Sequence, residues 1–152
     1  MVSDRAIDGV VVTPLKRIED ARGAVLHMLR ADAPHFAGFG EIYYSVVNRG
    51  VVKGWKRHTR MTLSLTAPFG GVRLGLIDGR PDSPTYAATQ TVVIDPSHYV
   101  LVTVPPGVWS AFQGLTDPPA VLANCANIPH DPTEAETVAA DQPPVPYRWP
   151  EA

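Results

Sequence analysis

Three nitrogen-bearing side chains occur at alternate positions near the middle of the chain, at Lys56, His58 and Arg60. Successive side chains of a strand point to opposite faces, so a regular strand places these three on one face with Val52 and Gly54. An imidazole or an amine can take or return a proton, and a cation can bind phosphate or polarise a carbonyl group. The pattern predicts either the lining of a cavity or, equally well, a solvated face of an edge strand.

Metal chemistry is not expected on this strand. Zinc and iron sites need several histidine, cysteine or carboxylate ligands, whereas His58 is the one histidine here and Lys56 lies two residues before it. A lysine amine is protonated at pH 7 and is not an ordinary metal ligand. Cys125 is the single cysteine of the chain, which excludes an intrachain disulfide and fits a small core residue better than a nucleophile. We expect no metal and no other cofactor.

The composition is that of an ordinary globular protein. The 152 residues carry a formal net charge of −2 and are 45% hydrophobic, with acids and bases mixed along the chain. A nucleic-acid surface would need a basic excess, and no apolar run approaches the roughly 20 residues of a membrane-spanning helix. The N-terminus lacks the pattern of a signal peptide, and a single cysteine fits a reducing compartment. These features predict a cytoplasmic protein that binds neither nucleic acid nor membranes.

Short apolar runs, separated by the 16 prolines and 12 glycines of the chain, predict an all-β fold. The runs are rich in β-branched and aromatic residues and recur about every ten residues, which is typical of a sandwich or barrel. A single domain over residues 1–152 is expected. The predicted strands are Val10–Val12, Ala24–Leu29, Glu41–Val47, Val51–Arg57, Met61–Leu65, Val72–Ile77, Thr91–Ile94, Tyr99–Val104, Val108–Phe112 and Ala120–Ala126.

The segments between and after these strands carry further local predictions. Glycine and proline predict hairpin turns at Pro68–Gly71 and Asp78–Pro81. A helical period survives only over Thr133–Ala140, which is enough for two turns at most. The proline-rich tail, residues 143–152, is expected to be extended and to pack on the rest of the fold through Tyr147 and Trp149.

Four segments of the chain carry recognisable motifs, in the order Phe39–Gly50, Gly50–Lys56, Ile77–Tyr86 and Val104–Phe112. At these residues the chain resembles the dTDP-4-dehydrorhamnose 3,5-epimerase family, whose motifs follow in the same order at nearly the same spacing. The Trp149-Pro150 end fits the same pattern. The second segment corresponds to the family's Gly-Val-Leu-Arg-Gly-Leu-His motif and the fourth to its Pro-Pro-Gly-x-x-His-Gly-Phe motif. The similarity is closer to a branch that shares the segments Gly40–Tyr44, Lys53–Thr62 and Asn124–Pro132.

The resemblance implies a cupin-type (jelly-roll) double-stranded β-barrel in which Gly50–His58 and Val100–Phe112 line one cavity. Family members work without a metal on nucleotide-linked 4-keto-6-deoxy sugars, and generally form dimers through their N-terminal strands. We therefore expect a nucleotide-linked sugar as partner and a homodimer with residues 1–38 at the contact. The branch implies a role in surface-polysaccharide or deoxysugar biosynthesis, and the nucleotide stays open among dTDP, CDP, GDP and UDP.

The same resemblance assigns three family proton-transfer groups to positions where this chain has other residues. The histidine base is replaced by Lys56, its aspartate partner by Gln142 and the tyrosine acid by Ala123. One explanation is isomerase chemistry with a changed base, either a deprotonated Lys56 or His58, and with Tyr44 or its neighbour Tyr43 as the acid. The alternative is a non-catalytic or differently catalytic cupin that binds a sugar nucleotide or another anionic small molecule through a protonated Lys56.

Six further residues are candidate substrate contacts. Lys53 takes the place of a family arginine that contacts phosphate, while Glu41 and Ser45 match positions near the sugar. Arg60 and Arg73 add positive charge that an anionic ligand needs. Asn124 belongs to a polar patch within a predicted strand and completes the set.

Overall fold

The computed structural model describes residues 4–152, and these residues form twelve β-strands and no helix. The all-β prediction is therefore confirmed. The strands, numbered in chain order, are β1 Val11–Pro14, β2 Arg17–Asp20, β3 Gly23–Leu26, β4 Glu41–Val47, β5 Val52–His58, β6 Leu63–Phe69, β7 Val72–Asp78, β8 Thr89–Ile94, β9 Val100–Val104, β10 Val108–Gly114, β11 Ala120–Ala126 and β12 Ala135–Thr137.

The strands pair in a nested order that defines a jelly roll. Strand β7 pairs with β8, β6 with β9, β5 with β10 and β4 with β11, and every pair is antiparallel. Successive pairs alternate between two five-stranded sheets, which run β1-β9-β6-β11-β4 and β12-β5-β10-β7-β8. A long hairpin that is rolled up in this way brings two sheets face to face. The cupin-type barrel expected from the sequence is confirmed.

The core fills the space between the two sheets. Alternate residues of each strand point inward, and the inward aliphatic side chains exclude water almost completely, as at Leu74, Leu76 and Val102, which are 0% exposed. Burial of such side chains contributes about 1.5–3 kcal/mol each. This packing holds the two sheets at a fixed separation.

All ten predicted strands are present, with ends displaced by a few residues, but two elements differ from prediction. Strand β2 was missed because its four residues are all exposed and show no apolar alternation. The expected helical turns over Thr133–Ala140 are wrong, since Ala135–Thr137 forms strand β12. It pairs with β5, which places Ala135 opposite His58 and Thr137 opposite Lys56. The open edge of β5 offers ladder hydrogen bonds that outweigh a weak local helical preference.

The two turn predictions also need correction. Pro68–Gly71 does not close a hairpin, because it connects β6 in one sheet to β7 in the other. Asp78–Pro81 begins a long loop, residues 79–88, between the paired strands β7 and β8. Glycine and proline mark a change of direction correctly, but they do not reveal how far away the partner strand lies.

The 79–88 loop is organised by the buried carboxylate of Asp78, which is 1% exposed. It accepts hydrogen bonds from the backbone N–H and the guanidinium of Arg80, at 2.9–3.1 Å, and from the hydroxyls of Ser83 and Thr85, both at 2.6 Å. Burial by itself raises the pKa of Asp78, but these donors outweigh it and hold the pKa well below its usual range. The Ile77–Tyr86 motif is thus a structural loop closed on one carboxylate.

Folding stability is expected to fall in acid through Asp78. Its pKa is lower in the folded chain than in the unfolded chain, so the unfolded chain binds more protons between the two pKa values. The stabilisation is full above about pH 4 and is lost as the pH falls through the folded pKa. Asp78→Asn should lower the free energy of unfolding at pH 7 by about 1–3 kcal/mol, measured by urea denaturation, and should weaken its dependence on acid pH. Asp20→Asn, which removes an exposed pair with Arg22, is the control and should unfold like the parent.

The C-terminal segment packs against the outer face of the second sheet. The rings of Tyr147 and Trp149 lie 5.1 and 5.6 Å from the ring of the fully buried Trp55. Gly75 on β7 leaves room for them, because a Cβ atom there would lie 2.8 Å from the Tyr147 ring. The tail therefore covers part of the outer face of strands β5 and β7.

Candidate functional site

A cavity of about 220 Å³ lies between the two sheets. The first sheet contributes side chains from β4, β6 and β11, and the second contributes side chains from β5, β7 and β10. The wall combines aliphatic residues with a smaller polar set, which is the usual composition of a small-molecule site. The lining residues are Tyr43, Ser45, Lys53, Gly54, Lys56, His58, Leu63, Leu65, Leu74, Ser110, Phe112, Leu122 and Asn124.

A bulge in β5 decides which of its residues face this cavity. Ser110 of β10 lies opposite Lys56 and Ala111 lies opposite Gly54, so Trp55 has no partner on β10. One extra residue shifts the alternation of faces. As a result Lys53 and Lys56, three residues apart, both line the cavity, while Trp55 packs on the outer face with the tail.

The sequence prediction of one continuous face was therefore only partly right. Lys56 and His58 line the cavity together, with Gly54 between the two lysines. Val52 lies on the opposite face and packs against the outer aromatic cluster. Arg60 lies beyond the end of β5, where the strand rule no longer applies. Regular alternation failed at the bulge, which sequence periodicity does not reveal.

His58 is bonded to a buried carboxylate that the sequence did not single out. Its Nδ1 lies within hydrogen-bond distance of Oε1 of Glu134, and the two residues are 8% and 3% exposed. The other oxygen, Oε2, accepts the backbone N–H of Arg60 at 3.1 Å and of Met61 at 3.2 Å. Burial raises the pKa of Glu134, but the bonds from His58 and these amides lower it more, so its pKa lies below the usual value. The carboxylate is ionised at neutral pH and accepts the proton on Nδ1.

Two lysine side chains are part of the cavity wall. Its lining includes Lys53 and Lys56 and contains no aspartate or glutamate. The Nζ of Lys53 donates to the carbonyl oxygen of Val46 at 2.7 Å. Among residues 4–152 no carboxylate lies within 4 Å of the Lys56 amine. A site of this kind attracts an anion or an oxygen atom on which negative charge develops.

A hydroxyl group faces these cations from the other sheet. Alternation along β4 turns Tyr43 and Ser45 into the cavity. The Tyr43 hydroxyl accepts a hydrogen bond of 3.0 Å from Nδ2 of the buried Asn124, whose Oδ1 accepts the N–H of Ser64 at 3.2 Å. Tyr44, the acid favoured from the sequence, is 67% exposed on the opposite face of β4 and does not line the cavity. We therefore transfer the role of candidate acid to Tyr43.

Three candidate substrate contacts lie outside the cavity wall. Arg73 is on the outer face of β7, because its neighbour Leu74 points inward, and it binds Gln113 and the Pro150 carbonyl at the tail. Arg60 forms a 2.8 Å ion pair with Asp131. Glu41, at the first position of β4, is half-buried and is not part of the lining. The structure brings together Ser45, Lys53 and Asn124 and leaves these three apart.

Sequence reasoning missed two lining or supporting residues. Ser110 follows from alternation once Trp109 is placed on the outer face, because it lies next to Trp109 on β10 and opposite Lys56. Glu134 had no such signal, because it is 76 residues away from His58 and lies within the Thr133–Ala140 segment that was predicted as helical turns. Among residues 4–152 no three His, Cys, Asp or Glu side chains group closely enough to hold a metal ion. No helix in the described part of the chain is long and apolar enough to cross a membrane.

Comparison with known proteins agrees with this architecture. The chain is 32% identical over 120 residues to the probable low-salt glycan biosynthesis epimerase Agl13 of Haloferax volcanii, covering 78% of this chain and 77% of that protein. It is 25% identical over 145 residues to the spore coat polysaccharide biosynthesis protein SpsL of Bacillus subtilis, covering 94% and 96%. A dTDP sugar isomerase structure from Desulfovibrio desulfuricans G20 superposes with a TM-score of 0.90 at 42% identity, covering 94% and 92%.

The family model is the broadest of these matches. The model of dTDP-4-dehydrorhamnose 3,5-epimerase matches residues 4–152, which is nearly the whole chain. It spans the four motif segments, both sheets and the tail. The chain therefore belongs to the dTDP-4-dehydrorhamnose 3,5-epimerase family.

Proposed function

We propose that this protein is a sugar-nucleotide isomerase that transfers a proton next to the 4-keto group of a nucleotide-linked 4-keto-6-deoxy sugar. The observation that carries the proposal is the arrangement of the cavity, where an imidazole and two amines of one sheet face a phenol of the other. Proton abstraction beside a ketone needs a base, a stabiliser for the enolate oxygen and an acid. The lining supplies a candidate for each.

The chemistry is a proton transfer in two steps. A base on β5 takes the proton from the carbon beside the keto group, and the electron pair of that C–H bond moves to form an enolate. A cation next to the base stabilises the charge on the enolate oxygen. The Tyr43 hydroxyl then returns a proton to the same carbon and restores the ketone. Since base and acid come from opposite sheets, removal and return on opposite faces of the ring invert the carbon, which favours epimerisation.

The size of the cavity divides the substrate between inside and outside. Its volume of about 220 Å³ is below the roughly 300–1,000 Å³ typical of sites for drug-sized ligands. We place the sugar ring inside, with Ser45 and Asn124 beside its hydroxyl groups, and the nucleotide at the mouth, with Lys53 on the diphosphate. In this division the nucleobase lies outside the cavity. Contacts outside the cavity therefore determine which nucleotide is bound.

The biological setting is proposed from the relatives and the N-terminal segment. Agl13 and SpsL are named for glycan and spore coat polysaccharide biosynthesis, and we propose a related role for this chain in the cytoplasm.

We also propose one domain and a homodimer through residues 1–38, supported by the exposed Ile18 and Val25 on the β2–β3 hairpin. Sedimentation velocity of the full chain measures the dimer, and a monomer at micromolar concentration would contradict it.

The direct test of the reaction is exchange of substrate hydrogen with solvent. In D2O, at least one of the dTDP-, CDP- and GDP-linked 4-keto-6-deoxy sugars should gain deuterium at C3 or C5, because the proton that is returned to the carbon comes from a hydroxyl group that exchanges with the solvent. Mass spectrometry and loss of the corresponding proton NMR signal measure the label. Exchange no faster than in protein-free samples, under conditions where an authentic family epimerase exchanges its substrate, would contradict the proposal. A sugar nucleotide that raises the melting temperature without exchanging would favour a binding protein instead.

Two adjacent tyrosines provide a matched control for the acid. Tyr43→Phe removes the hydroxyl that faces the cavity, so formation of the epimer should fall while exchange by the base continues. Tyr44→Phe removes a hydroxyl from the exposed face of the same strand and should leave both rates unchanged. An equal effect of the two changes would argue against Tyr43 as the acid.

A further inference from the structure

We propose that Glu134 is the positioning residue of the base in this chain and that the base is His58. This inference rests on the proposed isomerase function and adds the identity of the base to it. The observation behind it is the pair formed by the His58 ring, on the cavity wall, and the buried Glu134 carboxylate behind it. The pair lies on different residues from those where the family resemblance places its base and partner, Lys56 and Gln142.

The hydrogen bonds of Glu134 determine the protonation pattern of the imidazole. The carboxylate is fixed by amide donors from Arg60 and Met61, at 3.1 and 3.2 Å, so it does not turn away from the ring. An ionised carboxylate accepts hydrogen bonds and cannot donate them, so Nδ1 carries the proton. The neutral ring then has its lone pair on Nε2. That nitrogen is the one left to act on a ligand in the cavity.

Backbone contacts also fix Glu134 to the segment that carries His58. The carbonyl oxygen of Glu134 accepts the N–H and the hydroxyl of Thr59, both at 2.8 Å. The next residue, Ala135, pairs with His58 in the ladder between β12 and β5. Residues 58–61 are therefore wrapped around Glu134 by side-chain and main-chain bonds. A general base needs this restricted geometry, because small displacements from the reacting atom slow proton transfer strongly.

Stability alone gives little reason for a buried pair of this kind. Replacing a buried ionic pair with packed apolar residues is often neutral or stabilising. Here His58 lines the same cavity as Lys53, Lys56 and Tyr43. Its Nδ1 is paired with Glu134, so Nε2 is the ring nitrogen that remains for a ligand. Among the residues that the structure describes, no carboxylate lies within 4 Å of the Lys56 amine to fix its position. In this arrangement Lys56 serves as the cation that stabilises the enolate oxygen while His58 takes the proton.

The first test compares two glutamates of the same segment. Glu134→Gln keeps the size and the acceptor oxygen for one amide but removes the charge, and we expect the exchange kcat to fall by at least about tenfold with KM within about threefold. Glu136→Gln removes the exposed pair with Arg57, at 2.7 Å, and should leave kcat and KM unchanged. Glu134→Asp should recover part of the lost rate. Wild-type kcat in Glu134→Gln, or an equal fall in both variants, would overturn the inference.

The second test uses the unmodified protein. In ¹⁵N-histidine-labelled protein, the neutral form of the His58 imidazole should show a protonated Nδ1 and an unprotonated Nε2, with its signals identified by their loss in His58→Gln. The opposite tautomer would overturn the inference even if Glu134→Gln fails to fold. Failure of the function is distinguishable: a parent protein that exchanges no substrate removes the isomerase proposal and this role with it. Exchange at the parent rate in Glu134→Gln contradicts only the role of Glu134 and leaves the isomerase proposal standing.

Discussion

His58→Gln is expected to reduce deuterium exchange by about 10²- to 10⁴-fold, the usual contribution of a positioned general base. The ring that lines the cavity and is held by Glu134 is lost, and glutamine cannot accept a proton in its place. Substrate affinity should change little, because the proton is transferred only in the transition state. The exchange rate at saturating substrate and the dissociation constant from calorimetry measure the two effects separately.

Lys56 provides the decisive comparison, because lysine and arginine share a charge but not basicity. Arginine cannot be deprotonated in proteins, so Lys56→Arg should keep exchange within about tenfold of the parent if Lys56 acts as a fixed cation. Lys56→Met should lose about 10²- to 10³-fold, the usual effect of removing an oxyanion stabiliser. If Lys56 is the base instead, arginine and methionine will abolish exchange equally and His58→Gln will retain it.

Gly54→Ala is expected to lower the free energy of unfolding by about 2–6 kcal/mol and to disrupt the cavity. A Cβ atom at this position would lie 2.3 Å from Cβ and 2.6 Å from Cα of Ala111 on the neighbouring strand. The backbone also has φ of 142°, which costs a side chain about 1–3 kcal/mol by itself. Overpacking adds about 1–3 kcal/mol in a well-packed core. Urea denaturation measures the loss, and substrate binding should weaken in parallel.

Gly23 separates the two causes. It has φ of 144°, and a Cβ atom added there would meet no other part of the chain within 4 Å, so Gly23→Ala has the backbone cost without the clash. We expect Gly23→Ala to lose about 1–3 kcal/mol and Gly54→Ala clearly more. Equal losses would show that β5 and β10 separate easily, and the bulge would then not be the rigid feature that turns Lys53 and Lys56 to one side.

Local sequence signals determined most of the fold. The Glu41–Val47 and Ala120–Ala126 runs became β4 and β11 with the predicted ends, because β-branched and aromatic residues bounded by turn residues favour strands wherever they occur. Four ordered motifs identified the family, and the resemblance placed Lys56 and His58 on a cavity wall. Both residues line it. These results depend on residue type and spacing along one strand, which the sequence contains directly.

The tertiary structure decided which face of each strand is used. Tyr43 rather than Tyr44 enters the cavity because β4 pairs with β11 in a register that turns Tyr43 inward. Lys53 joins Lys56 because the bulge opposite β10 inserts one residue. A shift of one residue exchanges the two faces of a strand. Arg73 was lost from the site for the same reason, since the neighbouring Leu74 took the inward position.

Glu134 shows the limit of sequence reasoning most clearly. Composition, charge and periodicity describe neighbours along the chain, and the motif segments identified from the sequence did not include this acid. The contact between Glu134 and His58 forms only when β12 pairs with the edge of β5 and the loop before β12 closes over residues 58–61. Sequence determined the scaffold and the positively charged strand, because both are local properties. The partner of the base was decided by folding, because a contact across 76 residues exists only once two distant segments share one ladder.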